Sequence, residues 1–156
     1  MIINEDLSYI FEKFGDNSKF DGQTVVITGF AGFLGFYLTH YFVHAIDQGI
    51  AIKKLLLLDN FIREKQDWIV ELEKRTDERI EIRTSDISKE QEVEKIFEEP
   101  IDYVIHAASI ASPTYYRKYP LETIYSNVRG LNSLLQKAVT SPIKGMLFFS
   151  TSEIYG

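Results

Sequence analysis

The sequence predicts an α/β domain built on one parallel, doubly wound sheet, and two observations predict it. Short β-branched or aliphatic runs alternate with stretches of helical periodicity, which implies crossover connections and therefore parallel strands. Three of those runs, at 54–59, 102–106 and 145–150, are nearly continuous in apolar residues, the pattern of strands covered on both faces. Right-handed crossovers then give the strand order 3-2-1-4-5, with ligands bound beyond the carboxyl ends of the strands.

The elements follow in order. Leu7, Ile10, Phe11 and Phe14 recur at helical spacing over residues 5–14, and the turn-rich stretch from Asp16 to Gly22 separates that helix from the rest. Thr24–Thr28 is the first strand and Phe33 to about Asp47 the first crossover helix. Lys54–Asp59 is the second strand, followed by a helix over 65–75. Arg79–Thr84 places Ile80 and Ile82 on one face, as a half-buried strand does. Ser88 reads as the N-cap of a helix reaching Glu98, with Val93, Ile96 and Phe97 on its apolar side. Asp102–His106 is the fourth strand, Leu121–Val139 a long helix and Gly145–Ser150 the fifth strand.

Composition narrows the function. The chain has 156 residues, the size of one domain, and 17 basic against 23 acidic side chains give a formal charge of −6. That balance, without a basic cluster, argues against nucleic acid or an anionic membrane as partner. The absence of cysteine excludes a disulfide scaffold, a Cys-ligated zinc site and a thiol nucleophile, and fits the cytoplasm. The longest aliphatic run, Leu55–Leu58, is too short to span a bilayer, and the acidic start from Met1 to Asp6 does not read as a signal peptide.

The informative residues fall just after strands. Thr28-Gly29-Phe30-Ala31-Gly32-Phe33-Leu34-Gly35 follows the first strand and opens a helix. Gly29 supplies a tight turn, Gly32 lets backbone N–H groups approach a diphosphate, and Gly35 lets helix and strand pack closely. The diphosphate would rest on the helix N-terminus, where free N–H groups and the dipole favour negative charge. The second strand ends at Asp59-Asn60. An acid there accepts from adenosine ribose hydroxyls and repels a 2′-phosphate, which points to NAD rather than NADP. It lies further from the glycines than the usual spacing, the surplus falling at Asp47–Lys53.

Asp86, before Ile87, is either an acceptor for the adenine amino group or the head of an Asx turn. Ala107-Ala108-Ser109 is small enough for a dinucleotide to lie on, and His106 reads as a packed, hydrogen-bonded histidine. His40 and His44 share a helix face but have no third ligand in the sequence pattern, so no metal site is expected. Phe30, Phe33 and Phe36 read as packing around the loop.

Together these residues resemble the extended short-chain dehydrogenase/reductases, in their NAD-dependent epimerase/dehydratase branch. The matching pieces are the glycine turn at 28–35, Asp59-Asn60-Phe61, Asp86-Ile87, His106-Ala107-Ala108-Ser109, Asn127 with Gly130, and Ser150-Thr151-Ser152-Glu153-Ile154-Tyr155-Gly156. Within the branch the sequence is most similar to UDP-glucuronate decarboxylases, through Ala111-Ser112-Pro113, Tyr116, Pro120, Thr123, Asn127 and Gly130 and the triplet Thr151-Ser152-Glu153. Dehydratases typically carry Thr-Asp-Glu there and 4-epimerases an Ala-Thr pair after the hydroxyl residue, so Ser152 and Glu153 disfavour both.

The resemblance implies a Rossmann-like NAD-binding domain over 21–156, preceded by a helical extension over 1–20. It implies NAD contacts from Gly29, Phe30, Ala31, Gly32, Phe33, Leu34, Asp59, Asn60, Asp86, Ile87, Ala107, Ala108, Ser109 and Asn127. Thr151, Ser152 and Glu153 are implied as catalytic residues, and Ser112 and Tyr116 as contacts to a nucleotide sugar, most simply a UDP-sugar. The implied reaction oxidises C4 of the sugar, loses carbon dioxide from C5 and returns the hydride. The family's Tyr-x-x-x-Lys pair belongs on the helix after strand 5, a position beyond Gly156. The sequence therefore reads as a domain truncated after strand 5, inactive alone and prone to pair with itself. The helix at 121–139 corresponds to one that family members use in dimer contacts.

Overall fold

The structure, a computed structural model, describes residues 2–151. Helix α1 (Ile2–Phe14) and a 3₁₀ turn at Asn17–Phe20 precede strand β1 (Thr24–Thr28). Helix α2 (Phe33–Asp47), strand β2 (Lys54–Asp59), helix α3 (Asp67–Glu73), strand β3 (Ile80–Thr84), helix α4 (Glu90–Ile96) and strand β4 (Tyr103–His106) follow. Two short helices, α5 (Pro113–Lys118) and α6 (Pro120–Ile124), lead through a π-helical turn at Tyr125–Gly130 into α7 (Leu131–Thr140) and strand β5 (Gly145–Phe148). The strands form one parallel sheet in the order β3-β2-β1-β4-β5, the order expected from the alternating pattern.

Period-two geometry divides the sheet's side chains between two cores. Val25, Ile27, Leu55, Leu57 and Ile105 point to one face, where α2 contributes Tyr41, Phe42, Ala45 and Ile46, α3 contributes Ile69, and α1 contributes Leu7. Val26, Leu56, Leu58 and Val104 point to the other, against Ile96 and Ile101. Each such side chain contributes roughly 1.5–3 kcal/mol by leaving water. The N-terminal helix is tied into this core by buried Asn17, whose amide donates to Phe11 O at 2.9 Å and whose carbonyl accepts from the Tyr41 hydroxyl.

Local chemistry moved several boundaries. Ser88 does not cap α4; Lys89 stands at that position, because the Ser88 N–H and hydroxyl both donate to Asp86 Oδ1, at 3.1 and 2.7 Å, and hold the backbone in an Asx turn. The long helix is not a continuous α-helix from Leu121. It starts at Pro120 and widens into the π turn, where Gly130 presses on Ile87; a Cβ there would lie 2.8 Å from Ile87 Cδ1. Strand β5 stops at Phe148, two residues short of the expected end. Phe33 does not pack around the loop: it is 75% exposed, while Phe30 is fully buried and Phe36 lies against His40 and Trp68.

Candidate dinucleotide-binding site

The register brings the strand ends together. Thr28 lies opposite Leu58 on one side and His106 on the other, so the residues after β1, β2 and β4 meet at the carboxyl end of the sheet. There the chain turns at Gly29, whose φ of +74° suits glycine, and a side chain would collide with the backbone of Ala108 at 2.4 Å. Gly35 is equally constrained: its Cβ would fall 2.3 Å from Gly29 O and 2.4 Å from Phe30 O. Gly29 and Gly35 thus lock the turn onto β4 and α2 onto β1.

Gly32 is different. A Cβ there would meet only Gly29 O, at 3.2 Å, and would otherwise project into open space. Its φ of −79° suits any residue, so the fold itself makes little demand for glycine at this position. What a Cβ would fill is the approach to the first turn of α2, where helical geometry leaves the N–H groups of Phe33, Leu34 and Gly35 without intrahelical acceptors. That is a cradle for an anion.

Asp59 closes the cradle on the β2 side. Its Oδ2 accepts from Ala31 N at 3.2 Å and its Oδ1 from Phe61 N at 2.8 Å. Burial pushes its carboxyl above the ordinary carboxylate range, while these N–H groups and the charge of Arg63 pull the other way. Gln66 Nε2 donates to Ala31 O at 3.0 Å and braces the loop from the α3 side. Asn60 is exposed beside Asp59. At the β4 end, Ala107 and Ala108 line the turn and Ser109 is exposed.

His106 is the packed histidine expected: it is buried, and its Nδ1 shares a 2.7 Å hydrogen bond with Thr28 Oγ1. Desolvation lowers its pKa to about 4, so the ring is neutral at pH 7. Its Nε2 and the Ser85 hydroxyl are buried without a hydrogen-bond partner among the described residues. His40 donates through Nδ1 to Phe36 O at 2.7 Å, and the His44 ring meets Phe11 edge-on.

The remaining expected residues divide. Asp86 sits after β3 and forms the Asx turn described above, leaving Oδ2 3.6 Å from Lys89 Nζ. The Ile87 side chain is buried against Val93 and Leu134 and shapes the loop from beneath. Asn127 is exposed in the π turn, Ser112 stands at the N-cap of α5, and Tyr116 is 38% exposed on that helix. Thr151 is exposed beyond β5. Ser152 and Glu153 lie outside the described residues. The sequence pattern did not single out Gln66, Arg63 or Tyr115; no motif spacing marks them.

A nucleotide turn at the switch point of a doubly wound sheet, with an acid closing the next strand, defines a dinucleotide-binding α/β protein. Residues 25–156 match the model of the NAD dependent epimerase/dehydratase family, and the chain belongs to that family. It is 35% identical over 150 residues to UDP-glucuronic acid decarboxylase 6 of Arabidopsis thaliana, covering 90% of this chain and 37% of that protein. The UDP-glucose 4-epimerase of Bifidobacterium longum, solved with NAD⁺ and UDP, superposes with a TM-score of 0.66 at 26% identity, over 86% of this chain and 38% of that one. The dTDP-glucose 4,6-dehydratase of Streptomyces venezuelae, solved with NAD bound, shares the fold with a TM-score of 0.70 at 21% identity, over 86% of this chain and 41% of that one. The chain thus spans about two fifths of the length of these relatives. NAD is the family's cofactor, and the open position at Gly32 with the acid at Asp59 fits it.

Proposed function

We propose that the chain is the NAD-binding portion of a nucleotide-sugar-modifying enzyme of the UDP-glucuronate decarboxylase type, acting in the cytoplasm in sugar or surface-polysaccharide biosynthesis. The observation that carries the NAD part is the cradle at Gly32, bounded by the first turn of α2 and by Asp59. The decarboxylase part is supported by the 35% identity to a plant UDP-glucuronic acid decarboxylase and by Ala111-Ser112-Pro113 and Thr151-Ser152-Glu153. Among the described residues no helix is long and apolar enough to cross a membrane.

Bound NAD would supply a hydride acceptor and donor at the sugar's C4. The protein residues do the rest. Asp59 and Asn60 hold the adenosine ribose, Asp86 the adenine, and Gly29–Leu34 the diphosphate. Ala107, Ala108 and Ser109 give the nicotinamide half a surface without bulky side chains, and Asn127 borders it. Thr151 would hydrogen-bond the C4 hydroxyl and steer its proton toward a base, with Ser152 and Glu153 at C5 for orientation and proton transfer. A carboxylate at C5 is β to a C4 ketone, so its loss as carbon dioxide is stabilised as an enolate. Ser112 and Tyr116 would contact the sugar or its phosphates.

Incubating the full-length gene product with UDP-glucuronate, UDP-glucose and dTDP-glucose tests this. Carbon dioxide release from UDP-glucuronate is the expected result; its absence removes the decarboxylase reading. Epimerisation or dehydration of the other two would install the 4-epimerase or 4,6-dehydratase reading, which the similarity to a UDP-glucose 4-epimerase keeps in view. NAD binding with no turnover at full length would make the chain a non-catalytic NAD module. The 156-residue chain alone is expected to bind NAD without turnover. A second copy is the proposed cover for the exposed apolar side chains of α6, the π turn and α7: Leu121, Ile124, Val128, Leu135 and Val139.

A further inference from the structure

The segments that follow β2 and β4 touch each other. Arg63 Cζ lies 5.3 Å from the centroid of the Tyr115 ring, within cation–π range. Arg63 belongs to the loop between β2 and α3, Tyr115 to α5 after β4, and these two strands flank β1 on opposite sides. A contact between them crosses over the end of β1, which is where the chain turns at Gly29 and opens α2.

The charge is suited to that place. Lys65, two residues on, is committed to Glu73 at 2.6 Å, whereas Arg63 has no carboxylate within ion-pair distance among the described residues. It still acts on Asp59 through space, so its guanidinium stands near the carboxylate that accepts from Ala31 N. An arginine held by the face of a tyrosine ring, with no carboxylate partner, keeps N–H groups for a phosphate, which it can meet in a bidentate manner. Tyr115 is itself steadied by the Tyr119 ring, stacked 6.5 Å away.

We propose that Arg63 and Tyr115 form a clasp over the diphosphate of bound NAD, the guanidinium meeting the phosphate charge from above while the first turn of α2 meets it from below. The inference rests on the NAD reading and adds retention to it. A cofactor that must take a hydride and return it to the same sugar gains from slow release, and the clasp sets that rate.

The test is stopped-flow release of NAD from the 156-residue chain, with equilibrium titrations of NAD, ADP-ribose and adenosine. Arg63→Ala speeds NAD release about tenfold, the loss expected of one charge-assisted phosphate contact. Tyr115→Ala speeds it by a smaller factor, and Tyr115→Phe, which keeps the ring, stays within about twofold of wild type. The double variant Arg63→Ala/Tyr115→Ala is no faster than Arg63→Ala alone, because the ring acts through the guanidinium. ADP-ribose weakens in parallel with NAD, while adenosine, which lacks the diphosphate, does not change.

Wild-type release rates in Arg63→Ala overturn the clasp and leave the NAD reading standing. Equal loss of adenosine and NAD affinity also overturns it, since Arg63 would then act through Asp59. No saturable NAD binding by the folded wild-type chain overturns both. Arg63 is exposed, so its replacement leaves the core intact, and matched melting curves verify this.

Discussion

The glycine-turn side of the sheet and the β5 side are finished to different degrees. Around Gly29 the chain is held from several sides: the turn rests on Ala108, α2 rests on Gly29 O and Phe30 O, and Asp59 and Gln66 hold Ala31 from two directions. At the β5 edge, Leu147 and Phe148 are 50% and 44% exposed, and Val139 of α7 is 86% exposed. The difference teaches that the glycine turn and its supports are assembled almost entirely within residues 24–109, by short connections at strand ends. The β5 side instead exposes apolar side chains among the described residues.

The glycines give the largest separation. Gly35→Ala drives a Cβ into two carbonyl oxygens that cannot both retreat, so it lowers stability by about 3 kcal/mol or more, read in thermal melts. Gly32→Ala meets only Gly29 O and stays within about 1 kcal/mol of wild type, yet loses NAD affinity at least about tenfold because the methyl occupies the diphosphate's approach. Normal NAD binding by a folded Gly32→Ala chain would show that this turn does not hold the diphosphate.

Asp59→Asn is the next largest. An amide offers one acceptor oxygen where the carboxylate now serves both Ala31 and Phe61 N–H groups, so one donor is left unpaired at roughly 1–3 kcal/mol. NAD affinity falls about tenfold or more, and discrimination against NADP narrows because the repelling charge has gone. Calorimetric titration with both nucleotides measures each arm. An unchanged NAD-to-NADP ratio would remove Asp59 from the ribose-binding role.

The other side of the comparison breaks on surface charge. The wild-type chain is expected to self-associate in sedimentation velocity at tens of micromolar, and Val139→Glu, on an 86% exposed site, shifts it toward monomer with no change in melting. A wild-type chain that stays monomeric denies the apolar face a second copy as its cover.

Much of this was legible in the sequence because it depends on periodicity and on residues with few conformational alternatives. The strand order follows from apolar runs alternating with helical stretches, Gly29 and Gly35 stand where the turn and the helix packing need them, and Asp59 stands where it can accept from Ala31 N and Phe61 N. What the sequence hid was decided by competition among neighbours. Ser88 has the composition of an N-cap, but Asp86 captures its hydrogen bonds first. The helix over 121–139 has unbroken periodicity, and the widening at Tyr125–Gly130 accompanies the close approach of Gly130 to Ile87, a tertiary contact. Phe33 counted as packing by its hydrophobicity, whereas its place at the first position of α2 turns it outward beside the cradle. Arg63 and Tyr115 are distant in sequence, and only the sheet order makes them neighbours.

The last difference concerns the seam between β1 and β4, where His106 is buried against Thr28. Burial lowers its pKa from 6.5 to about 4, so the folded chain holds the neutral ring through a range in which the unfolded chain binds a proton. Stability from this residue is fully present above pH 6.5 and is lost as pH falls from there toward 4. The slope cannot exceed about 1.4 kcal/mol per pH unit, the one-proton limit, and it falls away above pH 6.5 as the unfolded chain also loses the proton. Asp59 runs in the opposite sense: its raised pKa makes acid favour the folded form, so the raw pH curve mixes the two. Denaturant melts of wild type and His106→Gln across pH 4–7 separate them. The variant is less stable at pH 7, because an amide fits the Thr28 pocket less well, but its curve is flatter between 6.5 and 4. Parallel curves would mean that His106 takes up its proton in the fold as readily as in the unfolded chain, so that burial does not hold the ring neutral.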